Sequence, residues 1–145
     1  MFRKSLLLVA AILTLVIGSG LTSQLYIAQG LPSAYDSGLT LDKAFKTAKT
    51  PLLIEFYTDS CGTCRKVTPL VHETAKGFKD RLTMVMVNLE DPENDGIAQL
   101  FGVTELPGVY VFDFKHMKKH QIPLKDLASQ GRLEVALNRV IQGKS

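Results

Sequence analysis

Two cysteines are too few to build a disulfide scaffold, so this fold must rest on an apolar core. No second cysteine pair is present to complete a zinc site, and His72, His116 and His120 are not spaced to replace it, so no metal is expected. An excess of one charge sign is also missing. The formal net charge is +3, but Arg3 and Lys4 supply two of those charges, leaving 15 basic against 14 acidic residues. Lysine and arginine form no stripe with interleaved aromatics, so nucleic acid is not an expected partner. There is no internal repeat and no low-complexity tract. What remains is an ordinary globular composition, 46% hydrophobic and 21% charged, in 145 residues: one domain plus a little extra.

The extra lies at the N-terminus. Arg3 and Lys4 precede an apolar run from Leu6 to Ile17, and no charged residue occurs from Ser5 through Tyr35. Two readings of residues 1–28 stay open. A cleaved signal peptide has a positive start, a short apolar core and small residues at the cut, for which Gly18-Ser19-Gly20 could serve. A retained anchor needs about 20 apolar residues, and Leu21, Leu25, Tyr26, Ile27 and Ala28 could extend the run to that length. Both place the positive end in the cytoplasm and the rest of the chain across the membrane. Residues 29–38 hold Gly30, Pro32, Ser33, Ser37 and Gly38 and read as a linker. The globular domain is expected over residues 39–145.

Periodicity supplies the elements of that domain. Leu41, Ala44, Phe45 and Ala48 recur at helical spacing behind Thr40 as N-cap. Leu52 to Tyr57 is a nearly continuous apolar run, the signature of a buried strand. Lys66 to Phe78 reads as a helix with Val67, Leu70, Val71, Ala75 and Phe78 on its inner stripe, and Pro69 is expected to kink it. Thr68, His72 and Lys76 fall on its polar side. Leu82 to Leu89 is a second strand, in which Met84 and Met86 read as core. Asp91-Pro92 starts a short helix whose inner face is Ile97, Leu100 and Phe101, closed by Gly102. Val109 to Phe112 is a third strand, and a weaker fourth lies near His120 to Pro123. Lys115, Lys118 and Lys119 read as a solvated loop. The last helix carries Leu133, Ala136, Leu137, Val140 and Ile141 on one face. The order α-β-α-β-α-β-(β)-α implies an α/β fold: a central mixed sheet with helices on both faces.

Chemistry concentrates at one junction. Cys61-Gly62-Thr63-Cys64 lies between the first strand and the second helix, beyond the carboxyl end of that strand, where open α/β sheets place their sites. A cysteine at the first turn of a helix meets unpaired backbone N–H groups and the positive end of the helix dipole. Both favour the thiolate, so Cys61 should ionise below the free-thiol value of about 8.5. Cys64, one turn on, can displace whatever Cys61 captures. A protease-like pairing of Cys61 with His72 is not supported, because the histidine lies eleven positions along a helix leading away. Glu55 is the second informative residue. In the midst of Leu52-Leu53-Ile54-Glu55-Phe56-Tyr57, a buried carboxylate is costly unless its pKa rises, which would fit it to move protons for Cys64. A strand with one wet face would leave it simply solvated.

The segment Glu55-Phe56-Tyr57-Thr58-Asp59-Ser60-Cys61-Gly62-Thr63-Cys64-Arg65 resembles the active-site stretch of the thioredoxin superfamily. Pro69 matches that family's helix proline, Gly102-Val103-Thr104-Glu105-Leu106-Pro107 resembles its Gly-x-x-x-x-Pro stretch, and Ser129-x-Gly131-x-Leu133 resembles the start of its last helix. The match runs from about Leu39 to Gly143. Glu55-Phe56-Tyr57 and Val85-Met86-Val87-Asn88 are most similar to a subgroup, the membrane-anchored thioredoxin-like proteins of cyanobacterial and chloroplast thylakoids. Three departures stand out: Ser60 replaces the usual Trp, Gly62-Thr63 replaces Gly-Pro, and Met86 stands where cytoplasmic members place a lysine. These bear on reduction potential and on target choice.

The resemblance implies a thioredoxin fold and a protein disulfide oxidoreductase with Cys61 as nucleophile and Cys64 as resolving thiol. It needs no cofactor beyond that cysteine pair. Glu55 would sit as the acidic residue beneath the cysteines, and Pro107 would be cis and pack against them. Leu106 would offer backbone hydrogen bonds to an extended target, with Ser60, Gly62 and Thr63 bordering it. The partners implied are protein thiols and disulfides, with a membrane thiol-electron transporter upstream and apocytochromes or other targets downstream. The subgroup favours the anchor reading, with the domain in the periplasm or thylakoid lumen; export as a soluble protein after signal cleavage is the alternative. A disulfide oxidase or isomerase, or a binding module with vestigial cysteines, would use the same groove.

Overall fold

The computed structural model describes residues 30–143. The apolar run expected as an anchor or signal lies outside them, and among the described residues no helix is long and apolar enough to cross a membrane. The elements are α1 (Leu41–Thr47), β1 (Leu52–Tyr57), α2 (Gly62–Lys76), β2 (Thr83–Asn88), α3 (Asp95–Phe101), β3 (Gly108–Asp113), β4 (Lys118–Ile122) and α4 (Gln130–Ile141), with short 3-10 turns at Pro32–Tyr35, Pro92–Asn94 and Leu124–Ala128.

The four strands form one sheet in the order β2-β1-β3-β4. β1 runs parallel to β2 and antiparallel to β3, and β3 pairs antiparallel with β4. All six residues of β1 are buried, as its apolar run demands of a strand covered on both faces. Their alternation divides the core. Leu53, with Val109 and Val111, joins α2 and α4 through Val71, Ala75, Leu133 and Leu137. Leu52, Ile54 and Phe56 point the other way, to Leu41, Ala44, Ile97 and Phe101 of α1 and α3. Glu55 shares the face of Leu53, so its carboxylate is aimed under α2.

Three expectations change. The stretch read as a linker is docked: Pro32 is buried, and Ser33 and Tyr35 contact the loop and helix that carry the cysteines. Leu100, expected on the inner face of α3, is 82% exposed. Ile97 and Phe101 lie one full turn apart and take the sheet-facing positions of a seven-residue helix, which rotates Leu100 outward. Lys119 is not in a solvated loop. It lies in β4, and its Nζ donates to the Phe101 carbonyl at the C-terminus of α3, where a cation complements the helix dipole. Gly102 ends that helix at φ 67°, a conformation that suits glycine.

Candidate functional site

Cys61 is the N-cap of α2, and its Sγ accepts the Cys64 N–H at 3.1 Å. That bond serves one of the orphan donors of the helix start. The two sulfurs are joined in a disulfide, with Cα atoms 5.2 Å apart. Cys61 is half-buried, whereas Cys64 is 0% exposed, so only the first sulfur faces an incoming group. Gly62 and Thr63 are exposed between them. Ser60 is exposed too; its N–H donates to Glu90 Oε1 at 3.1 Å and its hydroxyl to Thr58 Oγ1 at 3.1 Å. Cys64 packs with Tyr57 and Met86, and Cys61 and Leu106 border that cluster. The Leu106–Pro107 peptide is cis, with Pro107 buried and Leu106 half-buried.

Glu55 of β1, whose side chain meets α2 at Thr68, is 0% exposed. The solvated-strand alternative is therefore excluded. Its neighbours across the sheet are Met86 on β2 and Val109 on β3, so no cation meets it there. Burial pushes its pKa up to about 7, and a hydrogen bond from Thr68 opposes part of that rise. Thr68 Oγ1 donates to Glu55 Oε1 at 2.6 Å. The other oxygen, Oε2, has no partner.

Thr68 is the residue that sequence reasoning missed. Its polarity suggests a solvated stripe with His72 and Lys76, yet it is 0% exposed. The signal was present in the spacing: Thr68 is one turn after Cys64 and shares a face with Val71 and Ala75. His72 is also less solvated than expected. It is half-buried, with its ring edge-to-face against Tyr35 at a centroid distance of 5.2 Å.

The segment 31–36 closes the site on one side. Asp59 Oδ1 accepts the Ser33 N–H at 2.9 Å, and its Oδ2 accepts the Ser33 hydroxyl at 2.6 Å. The Tyr57 hydroxyl donates to Asp36 Oδ2 at 3.3 Å, and burial together with that carboxylate drives the phenol pKa upward. Tyr35 borders the Cys64 cluster. One carboxylate thus ties the strap to the loop before the cysteines. Asp59→Ala should weaken the docking by about 1–2 kcal/mol, since two donors lose their acceptor. The expected readout is faster chymotryptic cleavage at Tyr35 with the remaining domain intact. An unchanged cleavage rate would show that apolar packing alone holds the strap.

A cysteine pair at the start of the helix after the central strand of a mixed sheet, and a cis-proline leading into the neighbouring antiparallel strand, define a thioredoxin-type domain. A family model described as Thioredoxin matches residues 35–131, well over half of the sequence, and the chain belongs to the thioredoxin family. It is 40% identical over 73 residues to Thioredoxin 1 of Chlorobaculum tepidum, a match covering 50% of this chain and 70% of that protein. It is 34% identical over 71 residues to the chloroplastic Thioredoxin M-type of Zea mays, covering 49% of this chain but only 41% of the relative. Among solved structures, the first thioredoxin domain of mouse protein disulfide-isomerase A4 superposes with a TM-score of 0.56 at 18% identity, covering 73% of this chain and 72% of that one. Chloroplastic thioredoxin z gives 0.56 at 16%, covering 74% and 91%. At such identities the structures speak for the fold.

Proposed function

We propose that this chain is a thiol–disulfide oxidoreductase that reduces protein disulfides through Cys61 and Cys64. The observation that carries the reading is the asymmetry of the pair: Cys61 reachable at a helix N-terminus, Cys64 sealed one turn behind it on the helix whose Thr68 bonds the buried Glu55. In the reduced protein the Cys61 thiolate attacks a client disulfide. The client S–S bond breaks, one client sulfur leaves and takes up a proton, and a mixed disulfide forms. Cys64 then gives its proton to the Glu55 carboxylate and attacks Cys61 Sγ. The second client sulfur leaves, and the protein holds the closed disulfide. Two electrons have passed to the client. Leu106, at the cis-proline, packs against the same cluster as Cys61 and would hold an extended client strand, with Ser60, Gly62 and Thr63 bordering it.

The finer reading is that the domain works outside the cytoplasm, tethered by residues 1–28, and is recharged by a membrane thiol-electron transporter. The positively charged start and apolar run of the sequence support it. Deleting residues 1–28 should release the protein from membranes that otherwise keep it through alkaline washing; equal release of both forms would sink the anchor.

Cys64→Ser is expected to accumulate covalent client adducts, because the captured mixed disulfide cannot resolve. Non-reducing gels of cells expressing it should show bands that collapse with dithiothreitol and are missing from a Cys61→Ser/Cys64→Ser protein. If the single and double variants give the same pattern, the oxidoreductase reading fails. Equilibration with glutathione fixes the direction: a reductant should poise near about −270 mV, an oxidant near about −120 mV.

A further inference from the structure

Helical threonines usually settle their hydroxyl on their own backbone, four residues back. Thr47 does so to the Lys43 carbonyl and Thr74 to the Leu70 carbonyl, both at 2.8 Å. Thr68 has the same option at Cys64. Its neighbour Pro69 also has no N–H to offer the Arg65 carbonyl, leaving a second acceptor within one turn. Thr68 nevertheless crosses to β1 and donates to Glu55 Oε1 at 2.6 Å, with both side chains fully buried.

We propose that Thr68 is a positioning residue: its hydroxyl favours the ionised form of Glu55, to which the neighbouring strands offer no cation, and leaves Oε2 as the oxygen that takes the proton from Cys64. The surroundings assign the task to Thr68. β2 presents Met86 and β3 presents Val109, neither of which titrates or donates. Among the titratable groups on the elements packed there are Cys64 and, one turn beyond Thr68, His72 on α2; Tyr57 on β1 itself; and Asp36 and Asp59 at the strap, which act on Tyr57. None of them lowers the Glu55 pKa, whereas the Thr68 hydroxyl does. The unpartnered Oε2 then has a use. When Oε2 takes the proton the carboxyl becomes neutral, and the Thr68 hydroxyl can rotate to the backbone carbonyls behind it. That gives the site two hydrogen-bonded states, one for each protonation state.

This inference rests on the proposed dithiol cycle, and its test separates the two. The Glu55 carboxyl is titrated by 13C NMR in the full chain, in detergent, with the disulfide closed, using Glu55→Gln to assign the signal. Thr68→Val keeps the shape and removes the donor; Thr68→Ser keeps the donor and removes the methyl. Thr68→Val should raise the midpoint by about one unit or more, since hydrogen bonds to charged groups are the strong ones. That leaves about fivefold fewer carboxylates at pH 7, and resolution of a preformed mixed disulfide should slow to match. Thr68→Ser should titrate and resolve close to wild type. In a Glu55→Gln background, Thr68→Val should change the resolution rate no further. Should Thr68→Val fail to fold, the Ser variant and a Thr68→Ala variant still bracket the donor. Coincident midpoints in wild type and Thr68→Val overturn the proposal. So does a Thr68→Ser midpoint as high as that of Thr68→Val, or wild-type resolution by Glu55→Gln. The dithiol cycle itself stands or falls separately, on the adducts of Cys64→Ser.

Discussion

Cys61→Ser is expected to reduce insulin disulfides no faster than the uncatalysed background, a loss on the order of 10³-fold or more. Access and charge both set this outcome. A serine hydroxyl at this N-cap still accepts a backbone hydrogen bond, so α2 keeps its start and the fold keeps its stability. What is lost is an anionic sulfur, and the hydroxyl is not ionised at neutral pH. Cys64 cannot take over, because it is wholly buried and a client sulfur has no route to it without opening α2. The pair therefore divides into a residue that captures and a residue that releases. Turbidity from insulin reduction by wild type, Cys61→Ser and Cys64→Ser checks this directly. Substantial activity in Cys61→Ser, even a tenth of wild type, would move the nucleophile to Cys64 and contradict the asymmetry on which the proposed cycle depends.

Much of this site could be read along the sequence because its parts are local. The apolar run of β1, the cysteine spacing and the N-cap position of Cys61 are all settled within a dozen residues, and strand and helix periodicity place them. Glu55 was legible for the same reason: apolar neighbours on both faces of a six-residue run favour burial, and its exposure of 0% bears that out. The misread features are tertiary. The strap is held by Asp59, 26 positions from Ser33, a partner that the glycine, proline and serine content of residues 30–38 does not announce. Lys119 finds its acceptor 18 residues away, across from β4 to the end of α3. Thr68 looked polar because it is polar; only the carboxylate beneath α2 makes a buried hydroxyl favourable there. These contacts are also the ones that make the site particular to this chain, since the cysteine motif alone would allow many neighbours.

Glu55 should make this protein lose stability as pH rises toward neutrality, opposite to the usual behaviour of a paired carboxylate. Its pKa is about 7 in the folded chain against an ordinary value of 4.5. Between those two values the unfolded chain has released the proton while the folded chain still holds it. The unfolded state binds fewer protons there, so the unfolding free energy falls as pH increases. The contribution is fully present below about pH 4.5 and is gone above about pH 7. Its size follows from the shift, about 3 kcal/mol over the window. Glu55→Gln has no proton to lose, so its stability curve should be flatter than wild type by that amount between pH 4.5 and pH 8. Asp113 and Glu73, whose pKa values are lowered by His116 and Lys76 respectively, lose stability only at the acid end, and both contribute equally to the two proteins. Urea titrations of both proteins with the disulfide closed, at several pH values, read the difference. Parallel curves would mean that Glu55 ionises freely in the folded chain, and a carboxylate of that kind could not exchange protons with a buried Cys64 near neutral pH. A slope of the expected sign would instead show an acid kept at a cost to the fold, against the helix that carries Cys64, a sulfur that must lose a proton before it can act.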